Sequence, residues 1–384
     1  MDQFLPIKHY IDNVICKEKQ VPGCDIIVMQ EHTQLFRYIS GNAEMETGTP
    51  LTDHHLYYMY SCTKPVTVSA GMRLWEEGKL NLDAPVSDYL PAFAYLHVKK
   101  SDGSLSIAEH PLTVRHLFTM SGGFDYFALT DKVLSVIQNY GGHAATRQIV
   151  DAYAKKPLDF EPGTRFQYSL CHDILAAVIE EAAGMRFSEY LNQILFTPLE
   201  MCDSTFDDTP AVLARLTAQY QSDGNGTLTR TNDRNGFRLT DQYESGGAGL
   251  ICSAKDYAVF ADTMACEGRA ANGYRYLKPE TVALLHTEQL SSFAVDTAFS
   301  CAAGPGYGYG LGVRTRINQN DGQRSPVGEF GWDGAAGSYV MCDPVHHLSI
   351  FFAMHVLNWP ACIGGAHGVL RDMVYDILEG KTDI

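Results

Sequence analysis

Segments with the pattern of β-strands lie near both ends of this sequence, whereas the long stretch between them is mainly helical by pattern. An amphipathic helix over 3–19 precedes two strand-like segments, 24–30 and 33–40. Strand-like segments return towards the C-terminus at 307–316, 327–331, 336–342 and 347–355, before a helix over about 366–379. We therefore expect an α+β fold, in which an antiparallel β-sheet flanked by helices is built from both chain ends. The expected domains are a discontinuous α/β sheet domain, 1–60 with 300–384, and an inserted, mostly helical domain, 61–299.

A helix begins close to Ser61, in the segment SCTKPVTVSAGMRLWEEG. Pro65 has no backbone N–H and would break a helix interior, so it must lie in the first turn. The helical pattern then continues to about Gly78. Ser61 is therefore placed at a helix N-terminus, where unpaired N–H groups and the helix dipole favour negative charge.

Lys64 follows Ser61 by three residues, so the two side chains share one face of this helix. A serine hydroxyl is a weak nucleophile unless a base removes its proton. A lysine can be that base where burial lowers its pKa toward neutrality, and the apolar neighbours Val66 and Val68 favour burial. The spacing alone is a weak signal, because a capping serine and a solvated lysine would give the same pattern.

Two later segments strengthen the catalytic interpretation. Tyr168 comes directly after the turn-forming stretch EPGTR and before a strong helical pattern, and a phenol beside an ammonium can pass a proton to a leaving group. Trp332, Asp333 and Gly334 directly follow the predicted strand 327–331, and small residues there let the backbone approach a substrate closely.

These motifs belong to an ordered set: SCTKPVT, LTVRHLFTMSGG, PGTRFQYSL, GGAGLICSAKDYAVFA, GYGYGLGV and GWDGAAGSYVMCDP. With them, the chain resembles the serine β-lactamase and penicillin-binding superfamily over nearly its whole length. Within that superfamily it is most similar to the family VIII carboxylesterases, which share the class C β-lactamase fold. The resemblance implies a β-lactamase/transpeptidase-like fold with the active site in the cleft between the two domains.

The resemblance also implies roles for individual residues. Ser61 would be the nucleophile that becomes acylated, and Lys64 and Tyr168 would be the proton-transfer pair. The backbone N–H groups of Ser61 and Ala335 would form the oxyanion hole, and water would release the acyl group. The candidate substrate-binding residues are Trp332, Asp333, Gly334, Leu170 and Tyr126.

Two positions depart from the pattern of the penicillin-recognising members. Trp332 stands where those proteins have a Lys or His that helps to hold the substrate carboxylate, and a neutral indole cannot pair with a carboxylate. Leu170 stands where the lactamases have an Asn that bonds the amide side chain of the substrate. Both changes match the esterase branch, so we expect a neutral carboxylic ester as the small-molecule substrate.

Composition argues against several other classes of function. The net charge is −16 and there is no basic cluster, which disfavours nucleic acid and anionic membranes as partners. We find no signal-peptide pattern, no apolar run of about 18 residues and no C-x-x-C pair, so we expect a cytoplasmic protein with reduced thiols. No metal-ligand spacing such as H-E-x-x-H occurs and GYGYGLG does not fit a dinucleotide-binding motif, so neither a metal nor a cofactor is expected.

Other functions of the same scaffold stay open at this point. The acyl group could pass to an alcohol or amine, as in acyltransferases of this fold, or the substrate could be a β-lactam or a D-amino-acid peptide. A non-catalytic binding module is a further alternative, although Ser61, Lys64 and Tyr168 are all present. The sequence leaves open the physiological ester, the oligomeric state and whether Lys64 or Tyr168 is the base, since neighbouring groups titrate as a coupled pair.

Overall fold

The computed structural model describes residues 2–18, 20–231, 234–290, 305–319, 322, 324–360 and 365–381. The predicted domain boundary at 299/300 lies outside these residues. The α-helices are α1 Leu5–His9, α2 Thr63–Glu76, α3 Val114–Phe118, α4 Asp131–Asn139, α5 Thr146–Tyr153, α6 Cys171–Ala183, α7 Phe187–Leu191, α8 Pro210–Leu213, α9 Ala254–Ala265, α10 Pro279–Leu285 and α11 His367–Leu378. The strands are β1 Gly23–Gln30, β2 Thr33–Glu44, β3 Thr49–Pro50, β4 Leu56–Tyr58, β5 His97–Lys99, β6 Leu105–Ile107, β7 Tyr220–Ser222, β8 Leu228–Arg230, β9 Ile251–Ser253, β10 Tyr307–Tyr309, β11 Arg314–Arg316, β12 Phe330–Asp333, β13 Tyr339–Asp343, β14 Leu348–Met354 and β15 Val356–Leu357.

The main sheet is antiparallel and has the strand order β10-β11-β12-β13-β14-β1-β2-β3. Its strands come from both ends of the chain, and β1 joins the two sets because it pairs with β2 on one side and β14 on the other. Cys24 of β1 lies opposite Met354 of β14 and opposite Ser40 of β2. The predicted α+β fold is confirmed.

Helices cover both faces of this sheet. On one face, Ile26 and Ile350 pack with apolar residues of α1, of the π-helix Tyr10–Glu18 that continues it, and of α11. On the other face, Ile27 and Phe351 pack with residues of α9. Alternate residues of each strand therefore face opposite layers, and each fully buried Ile or Phe contributes about 1.5–3 kcal/mol relative to exposure. Helix α9 thus packs on the sheet, although it comes from the segment predicted to form the helical unit.

Two local predictions can be compared directly with the structure. The single strand predicted at 307–316 is wrong: the chain reverses between β10 and β11, where Gly310 N–H bonds to Val313 O and Gly312 has a φ of +88°. A left-handed φ of this kind is accessible to glycine without strain, so GYGYGLG encodes a turn here. The stretch 222–236, predicted as a loop or polar hairpin, contains the turn of the hairpin β7–β8.

Helix α2 lies in the interior and packs against α6. It follows a 3₁₀ turn, Tyr60–Cys62, and ends at Glu76, close to the predicted range. A Cβ at Gly71 would lie 2.7 Å from the ring of Phe118 on α3, so a glycine is needed where α2 meets α3.

Within the described ranges, no helix combines the length and apolarity that crossing a bilayer requires. The cysteines in those ranges are free thiols, and Cys301 and Cys362 lie outside them.

Candidate active site

Ser61 lies in the 3₁₀ turn that leads from β4 into α2. Tyr60 in this turn takes a φ of +44°, a left-handed conformation that is strained for a bulky aromatic residue. Met59 N–H anchors the turn by bonding to Leu250 O at 2.9 Å. The turn leaves Ser61 at the start of the helix, as the sequence predicts.

Three groups predicted to act together are in contact. Lys64 Nζ donates to Ser61 Oγ at 3.2 Å, and the Tyr168 hydroxyl donates to the same oxygen at 2.8 Å. Lys64 Nζ also donates to the Tyr126 hydroxyl at 3.0 Å and to the Gly247 carbonyl at 2.8 Å. The serine oxygen therefore faces two groups that can carry its proton.

The contacts of Lys64 fit an ammonium, because its three hydrogens have three acceptors. Burial opposes the charged form, but the phenol groups of Tyr126 and Tyr168 outweigh it and leave the pKa of Lys64 above its ordinary value. The expectation that burial lowers this pKa toward neutrality is therefore wrong. The apolar neighbours on α2 are visible in the sequence, whereas the polar groups that contact Nζ come from other segments.

Tyr168 is held between two aromatic rings. Tyr126 stacks on one side, with ring centres 5.3 Å apart, and Trp332 stacks on the other at 5.5 Å. Trp332 Nε1 also donates to the Tyr168 hydroxyl at 3.2 Å. Tyr126 and Trp332, predicted as substrate-binding residues, thus also contact Lys64 and Tyr168 directly. The sequence carried no spacing signal for this, since the three rings come from separate segments.

The turn between β12 and β13 lies against the segment that carries Ser61. A Cβ at Gly334 would lie 2.6 Å from the carbonyl oxygen of Met59, so the close approach needs a glycine. Ala335 is exposed, and its N–H donates to no group in the described part of the chain. This N–H is therefore available to a bound oxygen atom.

The other two predicted substrate-binding residues are engaged elsewhere. The Asp333 carboxylate pairs with Arg314 at 2.5 Å and lies 2.8 Å from His367 Nδ1. Burial raises the pKa of Asp333, but Arg314 and His367 lower it by more. The pKa therefore lies below its ordinary value and the carboxyl stays ionised. Leu170 is 3% exposed and packs in the core at the start of α6, which leaves little of its surface for a ligand.

A possible metal-ligand group in the described residues consists of His32, Asp262 and Cys266. His32 Nδ1 lies 2.7 Å from Asp262 Oδ2, and Cys266 Sγ lies 3.8 Å from Asp262 Oδ1. The three side chains thus satisfy one another, and they tie the β1–β2 turn to the end of α9.

The sheet, the Ser-x-x-Lys helix and the tyrosine on the serine oxygen define a protein of the β-lactamase and penicillin-binding class. The chain belongs to the Beta-lactamase family, which it matches over residues 9–363. This is a β-lactamase-fold serine hydrolase family with esterase and acyltransferase neighbours, so the resemblance inferred from the motifs is confirmed.

Similar proteins include esterases and an acyltransferase. The chain is 33% identical to esterase EstB of Burkholderia gladioli over 197 residues, which cover 50% of this chain and 48% of EstB, about half of each. It is 25% identical to the acyltransferase calJ of Penicillium decumbens over 365 residues, 88% of this chain and 85% of calJ. The solved structure of EstCE1, described as a hydrolase with promiscuous acyltransferase activity, superposes with a TM-score of 0.80 at 24% identity, covering 97% of this chain and 98% of EstCE1.

Proposed function

We propose that this protein is a serine esterase that cleaves carboxylic esters through an acyl-enzyme on Ser61. The observation that carries the proposal is the contact of one serine oxygen with both Lys64 Nζ and the Tyr168 hydroxyl. Ser61 Oγ lies within hydrogen-bond reach of both side chains, and this contact supports the proposal because an activated nucleophile needs its proton acceptor that close.

In the proposed acylation step the Lys64/Tyr168 pair reacts after it has lost one proton to solvent. Ser61 Oγ then attacks the ester carbonyl carbon and gives its proton to the pair. The carbonyl oxygen gains negative charge and is stabilised by the N–H groups of Ser61 and Ala335. The tetrahedral intermediate then collapses, the bond to the alkoxide oxygen breaks, and the pair returns the proton to the leaving alcohol.

In the proposed deacylation step, water attacks the acyl-enzyme carbonyl and the same pair accepts its proton. The bond to Ser61 Oγ breaks, the serine regains a proton and the carboxylic acid is released. Trp332 supports these transfers, because its indole N–H donates to the Tyr168 oxygen and favours negative charge there.

A neutral ester is the proposed substrate class. The residue at the head of the third motif is Trp332, whose neutral N–H is already directed at Tyr168 and offers no charge to a substrate carboxylate. The net charge of −16 adds mild repulsion of anionic substrates. The similarity to esterase EstB supports the same choice.

Acyl transfer is the second candidate. The similarity to calJ extends over 88% of this chain, and the structural neighbour EstCE1 is described as having both activities. The two reactions share the acylation step and differ in whether water or an alcohol or amine attacks the acyl-enzyme.

The test compares p-nitrophenyl butyrate with a chromogenic cephalosporin, using the native protein and Ser61→Ala. We expect turnover of the butyrate ester that disappears in Ser61→Ala, and slow or no cephalosporin hydrolysis. Product analysis in the presence of a competing alcohol separates hydrolysis from acyl transfer. Near-native ester turnover by a folded Ser61→Ala protein would refute the proposal, and a clear preference for the cephalosporin would refute the substrate class.

A further inference from the structure

A buried carboxylate that the proposed mechanism does not use lies behind Lys64. Asp173 is on the first turn of α6, five residues after Tyr168, and is 1% exposed. Its Oδ1 accepts hydrogen bonds from the Tyr243 hydroxyl at 2.8 Å and from Ser245 Oγ at 2.5 Å. Its Oδ2 makes no hydrogen bond of normal geometry within the described residues, although the nearby Gly247 N–H favours its charge.

Gly247 is the point at which this carboxylate and Lys64 meet. A Cβ added to Gly247 would lie 2.5 Å from Asp173 Oδ2 and 3.5 Å from Lys64 Nζ. The Gly247 carbonyl itself accepts a hydrogen bond from Nζ at 2.8 Å. The absence of a side chain at this residue therefore lets the two charged groups face each other across one backbone unit.

We infer that Asp173 is the buried counter-ion of Lys64 and a positioning residue for the proton-transfer pair. A fully buried ammonium is costly unless an opposite charge compensates it. Lys64 is 0% exposed, and its direct side-chain neighbours offer only hydroxyl oxygens. Asp173 supplies the missing negative charge and favours the form of Lys64 that donates to Ser61. The positioning role of Asp173 rests on the esterase mechanism proposed above, in which Lys64 and Tyr168 transfer protons.

The other titratable groups near the pair are neutral near pH 7. Burial lowers the pKa of His172 to about 3, and it raises the pKa of the Cys62, Tyr126, Tyr153 and Tyr243 side chains. These groups are Cys62 in the turn before α2, Tyr126 and Tyr243 in loops, Tyr153 on α5 and His172 on α6. Burial leaves the pKa of Asp173 above its ordinary value, although Ser245, Lys64 and Tyr243 each lower it.

The inference predicts the direction of a pH effect without assigning the base. A negative charge raises the pKa of every group near it, so its removal lowers the pKa of both Lys64 and Tyr168. In the pH profile of kcat/KM, one limb reports the titration of Lys64 and Tyr168. We expect Asp173→Asn to move that limb to lower pH by about one to two units. A matched control is Asp256→Asn, since Asp256 is another buried carboxylate, bonded to Asp203 N–H at 2.6 Å and Ser204 Oγ at 3.1 Å. It should leave the profile in place.

The decisive experiment needs no catalysis. Urea unfolding is measured for the native protein, Lys64→Met, Asp173→Asn and the double variant. If the two charges compensate each other, each single change leaves one charge buried alone, and the double variant is more stable than the sum of the single effects predicts. We expect a coupling of at least about tenfold in the unfolding constant.

The outcomes separate the inference from the proposed function. Additive effects in this cycle, or a folded Asp173→Asn protein with an unshifted profile, would overturn the inference even in an active esterase. A coupled cycle in a protein without esterase activity would support the ion pair while the proposed function fails. If Asp173→Asn does not fold, folding of the double variant supports the pair, and its failure to fold overturns it.

Discussion

Tyr168 and Tyr126 offer a comparison in which one hydroxyl is removed from each of two stacked rings. The Tyr168 hydroxyl contacts Ser61 Oγ at 2.8 Å, whereas the Tyr126 hydroxyl contacts Lys64 at 3.0 Å. Both rings stay packed when Tyr becomes Phe, because their stacking does not depend on the oxygen. The two variants therefore differ mainly in whether the lost group touches the proposed nucleophile.

We expect Tyr168→Phe to lower kcat by about 10²- to 10⁴-fold, the usual contribution of a positioned acid or base. That loss corresponds to about 3–5 kcal/mol of activation free energy. Tyr126→Phe should cost about tenfold or less, because the lost group contacts Lys64 and not the serine. Each variant should lose about 1 kcal/mol of stability for its missing hydrogen bond.

The assay is steady-state hydrolysis of p-nitrophenyl butyrate, with active sites counted by titration with a fluorophosphonate. Far-ultraviolet circular dichroism and urea unfolding verify that both variants are folded. A Tyr168→Phe enzyme within tenfold of the native kcat would refute the assigned role. A larger loss in Tyr126→Phe than in Tyr168→Phe would transfer that role to Tyr126.

Three further predictions concern the turn after β12, the substrate class and acid stability. Gly334→Ala places a Cβ 2.6 Å from the Met59 carbonyl oxygen, so the turn must shift and kcat for the butyrate ester should fall about 10- to 100-fold with a smaller change in KM. Trp332→Lys restores a cation, so a cephalosporin carboxylate should bind more tightly while ester turnover falls with the lost bond to Tyr168; unchanged cephalosporin inhibition constants would contradict this. Burial lowers the pKa of His116 from 6.5 to about 4, so the unfolded chain takes up a proton first as the pH falls. Through this group the free energy of unfolding should fall by about 2–3 kcal/mol between pH 6.5 and 4, and His116→Asn should flatten that part of the urea-midpoint profile.

The sequence is informative where one residue has few conformational choices or where a pattern repeats. Pro65 places the start of α2 because a proline is tolerated only in the first turn, and that places Ser61 and Lys64 on one face. The apolar run at 24–30 predicts a strand, and the structure has β1 there with its first six residues buried.

Local sequence pattern does not predict contacts between segments that are far apart in the chain. Tyr126 contacts Lys64 from a loop, and Asp173 of α6 lies beside Gly247, the residue whose carbonyl Lys64 contacts. Neither Tyr126 nor Asp173 has a periodic relation to Ser61 in the sequence. The protonation of Lys64 depends on these long-range neighbours, which is why the apolar residues around it in the sequence gave the wrong direction. Helix α9 has the composition of any amphipathic helix, so its place against the sheet could not be assigned from pattern alone.

The central position of β1 has a consequence for how the chain reaches its folded state. Its register joins Cys24 to Met354, residues separated by most of the chain, and such non-local pairing slows folding. During synthesis, β1 and β2 can form a hairpin early, but one edge of β1 has no partner until β14 has emerged. For most of translation this apolar strand edge is a site at which nascent chains can associate wrongly, so productive folding depends on keeping it covered.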